Sequence, residues 1–257
     1  MSDADTRVVV QPDKAELAAH VANRFVGLLA QLTQEQRPVH VSLTGGSMGA
    51  AVLSGVAGHP WRDNIDWSLV HVWWSDERFV PRADAERNAG QARGALLDAI
   101  AIPAGNVHEP AGSDDGVSLD EAAVSYAEDL ARFAQADGTP YPVFDVCFLG
   151  VGPDGHIASL FPDRSEVGVV DAVVLPVRDS PKPPAERVTF TRPVINASTR
   201  VWMVLAGADK AAALGLVMAG ASFASVPAAG AYGTEQTIVF TDAAAAAEVP
   251  EDLIDPD

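Results

Sequence analysis

The chain has 257 residues, a length that one large α/β unit or two smaller domains can fill. Hydrophobic residues make up 48% and charged residues 20%, which is enough apolar surface for a large core and too little charge for wholesale disorder. Asp and Glu number 35 against 17 Lys and Arg, a formal net charge of −18 that repels polyanions and argues against nucleic acid and anionic membranes as partners.

The single cysteine, Cys147, has no intramolecular partner and lies in the apolar run FDVCFLGVG, the setting of a small buried thiol. The start, MSDADTRVVV, lacks the basic region and apolar core of a secretory signal, so the reducing cytoplasm is the expected compartment.

In chain order, Arg7–Val10 reads as a strand. From Asp13 onward, Leu17, Val21, Phe25, Leu28 and Leu32 form one apolar helical stripe, with Asp13 and Glu16 resembling a capping box. Residues 39–43, VHVSL, read as a strand running into Thr44-Gly45-Gly46-Ser47, and Met48–Val56 as a helix. Leu69–Trp74 is apolar almost throughout, as in a strand covered on both faces, and ends at the charged Ser75-Asp76-Glu77-Arg78. Helices are predicted over Ala89–Ala101 and Ser118–Phe133, with a loop over Pro103–Gly116 between them. Phe144–Val151 is a further strand that empties into Gly152-Pro153-Asp154-Gly155-His156.

Strands then follow at Ala172–Val177, Arg187–Thr191, Val201–Ala206 and Thr237–Thr241, with a helix over Asp209–Met218. Ala211–Gly233 carries no charge, but its proline, glycines and serines fit a buried helix and a small-residue loop better than a membrane span. Ser180-Pro181-Lys182-Pro183-Pro184 reads as a stiff surface loop. The alternation of strands and helices implies a mostly parallel sheet in a single α/β domain over 1–257. Such sheets bind ligands beyond the carboxyl ends of their strands.

Three polar turns converge there. Thr44-Gly45-Gly46-Ser47 between strand and helix can offer backbone N–H groups and hydroxyls to an anion, and a glycine after a strand is also a common tight turn. It lacks the lysine of a nucleotide phosphate loop and the three-glycine dinucleotide spacing. Arg78 can add a guanidinium to the same anion while Asp76 points into the crevice; a solvated strand end is the alternative. Asp154 and His156, two apart in a glycine-rich turn, place a carboxylate where it can orient an imidazole. His20, His40, His59, His71 and His108 read as structural. No zinc-ligand spacing and no thiolate cluster is present, so neither a metal nor any other cofactor is expected.

These residues resemble the 6-phosphogluconolactonase family: Thr44–Ser47, Ser75–Pro81 (SDERFVP) with Asn88, Leu149–Pro162 (LGVGPDGHIASLFP), Ser180–Pro184, Arg187–Thr191 (RVTFT) and Gly207–Ala211 (GADKA) occur in the family's order. The resemblance implies a Rossmann-like three-layer α/β/α sandwich, shared with glucosamine-6-phosphate deaminases, that carries no dinucleotide. It implies hydrolysis of 6-phospho-D-glucono-1,5-lactone to 6-phospho-D-gluconate, the second step of the oxidative pentose phosphate pathway. Arg78 and Ser159-Leu160-Phe161-Pro162 favour the lactonase over the deaminase, whose pattern has tyrosine at the first of these positions. Two departures stand out: Met48-Gly49 replaces the family's threonine-proline, and Val226–Ala229 matches a C-terminal motif only approximately.

On this reading His156, oriented by Asp154, activates water, and the substrate phosphate sits on Gly45, Gly46 and Ser47 with Arg78, Lys210 and Arg187 as charge partners. Gly152 or Gly46 would offer oxyanion donors, and Ser159 is structural or a donor behind the site. The alternatives are a glucosamine-6-phosphate isomerase/deaminase with Asp76 as base, and a non-catalytic phosphosugar-binding protein.

Overall fold

The structure, a computed structural model, describes residues 6–255. Its nine strands among the described residues are β1 (Thr6–Gln11), β2 (Val39–Leu43), β3 (Val70–Trp74), β4 (Asp76–Arg78), β5 (Val146–Gly150), β6 (Val174–Val177), β7 (Arg187–Phe190), β8 (Arg200–Leu205) and β9 (Gln236–Asp242). Six of them form one wholly parallel sheet in the order β1-β9-β8-β5-β2-β3.

The helices are α1 (Lys14–Thr33), α2 (Gly46–Ala57), α3 (Asn88–Ala95), α4 (Leu119–Ala131), α5 (Arg192–Asn196) and α6 (Ala211–Met218). α1, α2 and α3 cover one face of the sheet, where Phe25, Phe148, Trp202 and Phe240 meet edge to face. α4, α5 and α6 cover the other around Trp73, Phe144 and Phe190. Covered on both faces, the strands need continuous apolar runs, which is why they are legible in the sequence. The arrangement is the expected three-layer sandwich.

Local chemistry sets the helix ends. Asp13 Oδ1 accepts hydrogen bonds from the Ala15 and Glu16 N–H groups at the head of α1, and Ser118 and Glu121 form a complete capping box at the head of α4. On α1 the buried stripe runs through Leu29, and Leu28 is only partly covered. α3 stops at Ala95 rather than continuing to Ala101: Leu96 leaves helical geometry at φ −147°, and both Leu96 and Leu97 are buried through the turn that follows. In the uncharged stretch, α6 is short and is followed by loop, and no helix among the described residues is long and apolar enough to cross a membrane.

β4, β7 and β6 are not part of the parallel sheet. They form a small antiparallel sheet in the order β4-β7-β6, packed with the α4 layer. The short stretch 178–186 between β6 and β7 has no room for the helix that a parallel crossover requires, so the chain folds back on itself. Asp76-Glu77-Arg78 is therefore a strand and not a solvated strand end: Asp76 and Glu77 are both buried.

The sheet order fixes where a ligand can enter. From β2 the chain steps outward to β3, while from β5 it steps the other way to β8 and β9, so the order reverses between the neighbours β2 and β5. Their carboxyl ends are tied by Gly150 N–H donating to Thr44 Oγ1 at 3.1 Å. The gap at such a reversal is the ordinary ligand crevice of an open α/β sheet.

Candidate active site

At that reversal lies a cleft of about 540 Å³ including its open mouth, lined by Thr44, Gly45, Gly46, Asp76, Arg78, Asn88, Gly150, Val151, Gly152, His156, Ala158, Lys182, Arg187 and Lys210. Four of these side chains are cationic and one is a carboxylate, an electropositive recess in an acidic molecule.

One wall is the head of α2, whose first residues carry no side-chain cap, so its N-terminal N–H groups are open to an anion apart from Gly46 N–H, which donates to Gln91 Oε1 at 3.2 Å. Gly45 must be glycine: a Cβ there would stand 1.7 Å from Asn88 Oδ1. Gly49, one of the departures from the family pattern, is equally constrained, since a Cβ would lie 2.3 Å from the Thr44 carbonyl oxygen. Ser47 does not line the cleft. It is exposed and its Oγ accepts from Lys14 Nζ at 2.9 Å, because one step along the helix turns its side chain away; Thr44 supplies the hydroxyl on the cleft side.

Arg78 reaches the same recess from β4. Its Nη1 donates to the Glu86 carbonyl at 2.6 Å, while its Nε is buried with no partner among the described residues. Behind it Glu77 accepts from Arg78 N–H (2.7 Å), Asn88 N–H (2.8 Å) and Ala89 N–H (2.8 Å), which caps α3 and seats Asn88 against Gly45. Burial pushes the Glu77 carboxyl up, against the pull of Arg87 and these N–H groups. Asn88 Nδ2 donates to the Asp76 carbonyl at 2.8 Å.

At the other end His156 Nδ1–H donates to Asp154 Oδ1 at 2.6 Å, which fixes the tautomer and leaves Nε2 free. Burial against Phe161 lowers the imidazole below its ordinary range, opposed by Asp154, so His156 is neutral at neutral pH. Partial burial works to raise Asp154, but hydrogen bonds from His156 and Lys182 outweigh it and hold the carboxyl at about 2. Gly152 is the turn that makes room, since a Cβ would lie 2.0 Å from His156 Nδ1. Its own N–H donates to the His156 carbonyl at 2.9 Å, so it is not available as an oxyanion donor.

Asp76 Oδ2 accepts from Ser159 Oγ at 2.7 Å and faces Arg187 Nη1 at 3.8 Å, which puts Ser159 behind the site. Lys210 lies 3.5 Å from Asp209 Oδ2 with its ammonium at the cleft. Lys182 Nζ stands 3.2 Å from Asp154 Oδ1. Sequence reasoning offered the Thr44 hydroxyl to an anion together with that of Ser47, but gave no role to Asn88 or Lys182, though both lie within the motifs; the lysine between prolines was the available signal. His20, His40, His59, His71 and His108 are all outside the lining, and Cys147 is buried with its thiol pushed up to about 12 by burial.

Comparison with known proteins gives the family of the chain. The model of the family described as glucosamine-6-phosphate isomerases/6-phosphogluconolactonase matches residues 12–240. The chain belongs to this family. It is 42% identical to the 6-phosphogluconolactonase of Streptomyces coelicolor, over 100% of this chain and 99% of that protein. It is 43% identical to that of Mycobacterium tuberculosis, over 95% and 98%. Among solved structures, the 6-phosphogluconolactonase of Thermotoga maritima superposes with a TM-score of 0.79 at 27% identity, covering 92% of this chain and 99% of that one. A monomeric glucosamine-6-phosphate deaminase shares the fold, with a TM-score of 0.76 at 18% identity over 95% and 100%.

Proposed function

We propose that the protein hydrolyses 6-phospho-D-glucono-1,5-lactone to 6-phospho-D-gluconate, the second step of the oxidative pentose phosphate pathway, by histidine-assisted attack of water. The observation that carries this reading is the 2.6 Å Asp154–His156 pair, with Nε2 free, in the same cleft as an uncapped helix terminus and the unpartnered Arg78 Nε. The lactonase relatives, matched over nearly their whole length, supply the substrate.

The substrate phosphate sits at the head of α2, against Gly45 and Gly46, with Arg78 and Lys210 as its charge partners. That places the lactone carbonyl toward His156. Neutral His156 Nε2 takes a proton from water as the water oxygen bonds to C1, and the carbonyl electrons move to its oxygen. Asp154 stabilises the imidazolium through Nδ1–H. When the tetrahedral intermediate collapses, the C1–O5 bond breaks and Nε2–H protonates the departing O5, returning His156 to its neutral form. The new carboxylic acid releases its proton to solvent. No nucleophile of the protein is needed: Ser159 Oγ is engaged by Asp76.

We also infer a single domain over 1–257, because β1 and β9, far apart in sequence, pair over all of β1, Thr6–Gln11 with Thr237–Asp242. A cytoplasmic location fits a phosphorylated sugar, which membranes retain.

The test follows freshly generated lactone by time-resolved NMR, with and without enzyme, beside an ammonia-release assay on glucosamine 6-phosphate. Acceleration of ring opening without ammonia supports the lactonase. Ammonia release without acceleration moves the proton-abstracting role to Asp76 and overturns it; binding without turnover in either assay leaves a phosphosugar-binding protein.

A further inference from the structure

Arg187 borders the cleft, yet its guanidinium is already engaged. Nε–H donates to the Pro184 carbonyl (3.1 Å), the two Nη2–H groups to the carbonyls of Lys182 (2.9 Å) and Pro183 (3.1 Å), and Nη1 turns to Ser159 Oγ (3.4 Å) and Asp76 Oδ2 (3.8 Å). A guanidinium has five N–H donors, so almost nothing is left for a phosphate. What Arg187 grips is the backbone of the loop 180–184, which Ser180 also closes by accepting from Lys182 N–H (3.3 Å) and donating to the Lys182 carbonyl (2.8 Å). The side chain of that clamped residue projects to the other end of the cleft. There Lys182 Nζ donates to Asp154 Oδ1 at 3.2 Å and stands 3.2 Å from His156 Nδ1.

We propose that Lys182 is a positioning residue for the reaction, held by Arg187 so that its ammonium shares Asp154 with His156 and keeps the imidazole neutral and ready to accept a proton. Arg187 is then the brace of this loop and not a ligand of the substrate phosphate. The inference rests on the lactonase reading for its place in the chemistry, but not for its geometry.

The physical basis is a competition for one carboxylate. Asp154 alone beside His156 favours the imidazolium, because the ion pair is better than the neutral hydrogen bond. A second cation on the same oxygen, close to Nδ1, offsets that preference. Other charges facing the ring are Asp76 and Arg78 from β4, Arg187 from β7, whose guanidinium lies 5.6 Å from the Phe161 ring, and Lys210 ahead of α6. Unlike them, Lys182 is a cation within hydrogen-bond range of the Asp154–His156 pair, and it lowers His156 while Asp154 and Asp76 raise it. With Lys182 removed, the imidazole holds its proton to higher pH, and the base is lost at pH values where the native enzyme still has it.

The test compares the native protein with Lys182→Met and Lys182→Arg. Lys182 is partly exposed, so neither change opens a core. The first measurement is the NMR titration of the His156 Cε1–H resonance, assigned by its loss in His156→Gln, which needs no turnover. The second is the pH profile of kcat/KM on the lactone. The expected result is an imidazole midpoint raised by about 1 pH unit in Lys182→Met, an acid limb moved by the same amount so that kcat/KM falls about tenfold along it, and recovery of most of both shifts in Lys182→Arg. An unmoved imidazole midpoint in Lys182→Met overturns the proposal, as does a defect confined to KM at every pH, which would make Lys182 a substrate ligand. Failure of the native enzyme to accelerate lactone hydrolysis overturns the lactonase reading instead, and the titration still decides the role of Lys182.

Discussion

On the proposed reading Arg78 serves binding and His156 chemistry, and single substitutions separate the two. Arg78 has a buried Nε without a partner among the described residues; a phosphate bound as proposed would form a charge-assisted bond to its guanidinium of about 1.5–3 kcal/mol. Arg78→Ala is expected to raise KM by about 10- to 100-fold with kcat little changed, read from steady-state kinetics on fresh lactone; an equal fall in kcat with KM intact would move Arg78 out of phosphate binding. Gly152→Ala acts at the opposite end. Its methyl group would meet His156 Nδ1 at 2.0 Å and push the ring off Asp154, so turnover should fall while affinity for 6-phosphogluconate is kept.

Pairing was legible where chemistry and local geometry coincide, as in Asp154 and His156, two apart in one turn. They were not legible where the fold decides direction. Ser47 carries a suitable hydroxyl, but the first turn of α2 points it at Lys14, and Arg187 carries a suitable charge that the 180–184 carbonyls consume.

At the scale of elements, the site depends on how β4 and α3 are joined. Glu77 is buried and binds one N–H of β4 and two at the head of α3, with Arg87 Nε at 3.7 Å. Glu77→Ala leaves those donors and a buried guanidinium without their carboxylate, and should cost about 3–5 kcal/mol in urea unfolding. A loss under 1 kcal/mol would show that the junction is held by something else. The elements themselves followed the sequence where burial wrote a long pattern: the parallel strands are apolar runs, and α1 shows its stripe. β4 is three residues of Asp, Glu and Arg, with no apolar run or alternation to mark it, and only its pairing with β7 makes it a strand. α3 likewise begins where Glu77 caps it from another element, a signal that no local window contains.

Across the whole molecule, the acid-rich composition is compatible with the proposed anion site because charges more than about 8 Å away are screened at physiological salt, while the cleft cations would lie close to a bound anion. A second property of the whole fold sits at the edge of the parallel sheet. His40 and His71 are register partners on β2 and β3, and with His108 they stack beside Trp73 and Phe133. Trp73 Nε1–H donates to His40 Nδ1, and His108 lies between His71 and Asp129, an arrangement that requires neutral His40. Burial, then the neighbouring histidines, lowers His40 to about 3, and burial, then His108, lowers His71 to about 4.

Their unfolded values lie near 6.5, so the unfolded chain binds more protons below that pH. Stability is therefore complete above pH 6.5 and falls as pH drops toward 3, by about 3 kcal/mol at pH 4 from His40 alone. Urea unfolding at pH 7.5, 5.5 and 4.5 should show this decline, and His40→Gln, which keeps an acceptor for Trp73, should flatten it. Equal acid sensitivity of the two proteins would place the decline elsewhere.

The most direct measurement is single-turnover hydrolysis of fresh 6-phosphogluconolactone by native protein and His156→Gln, corrected for the spontaneous rate, with 6-phosphogluconate binding measured on both by calorimetry. The expected result is turnover by the native protein, a fall of at least about 10²-fold in the variant, and affinities for the product within a few-fold of each other. Native-like turnover by His156→Gln, with binding intact, would contradict the assignment of His156 as the base that activates water.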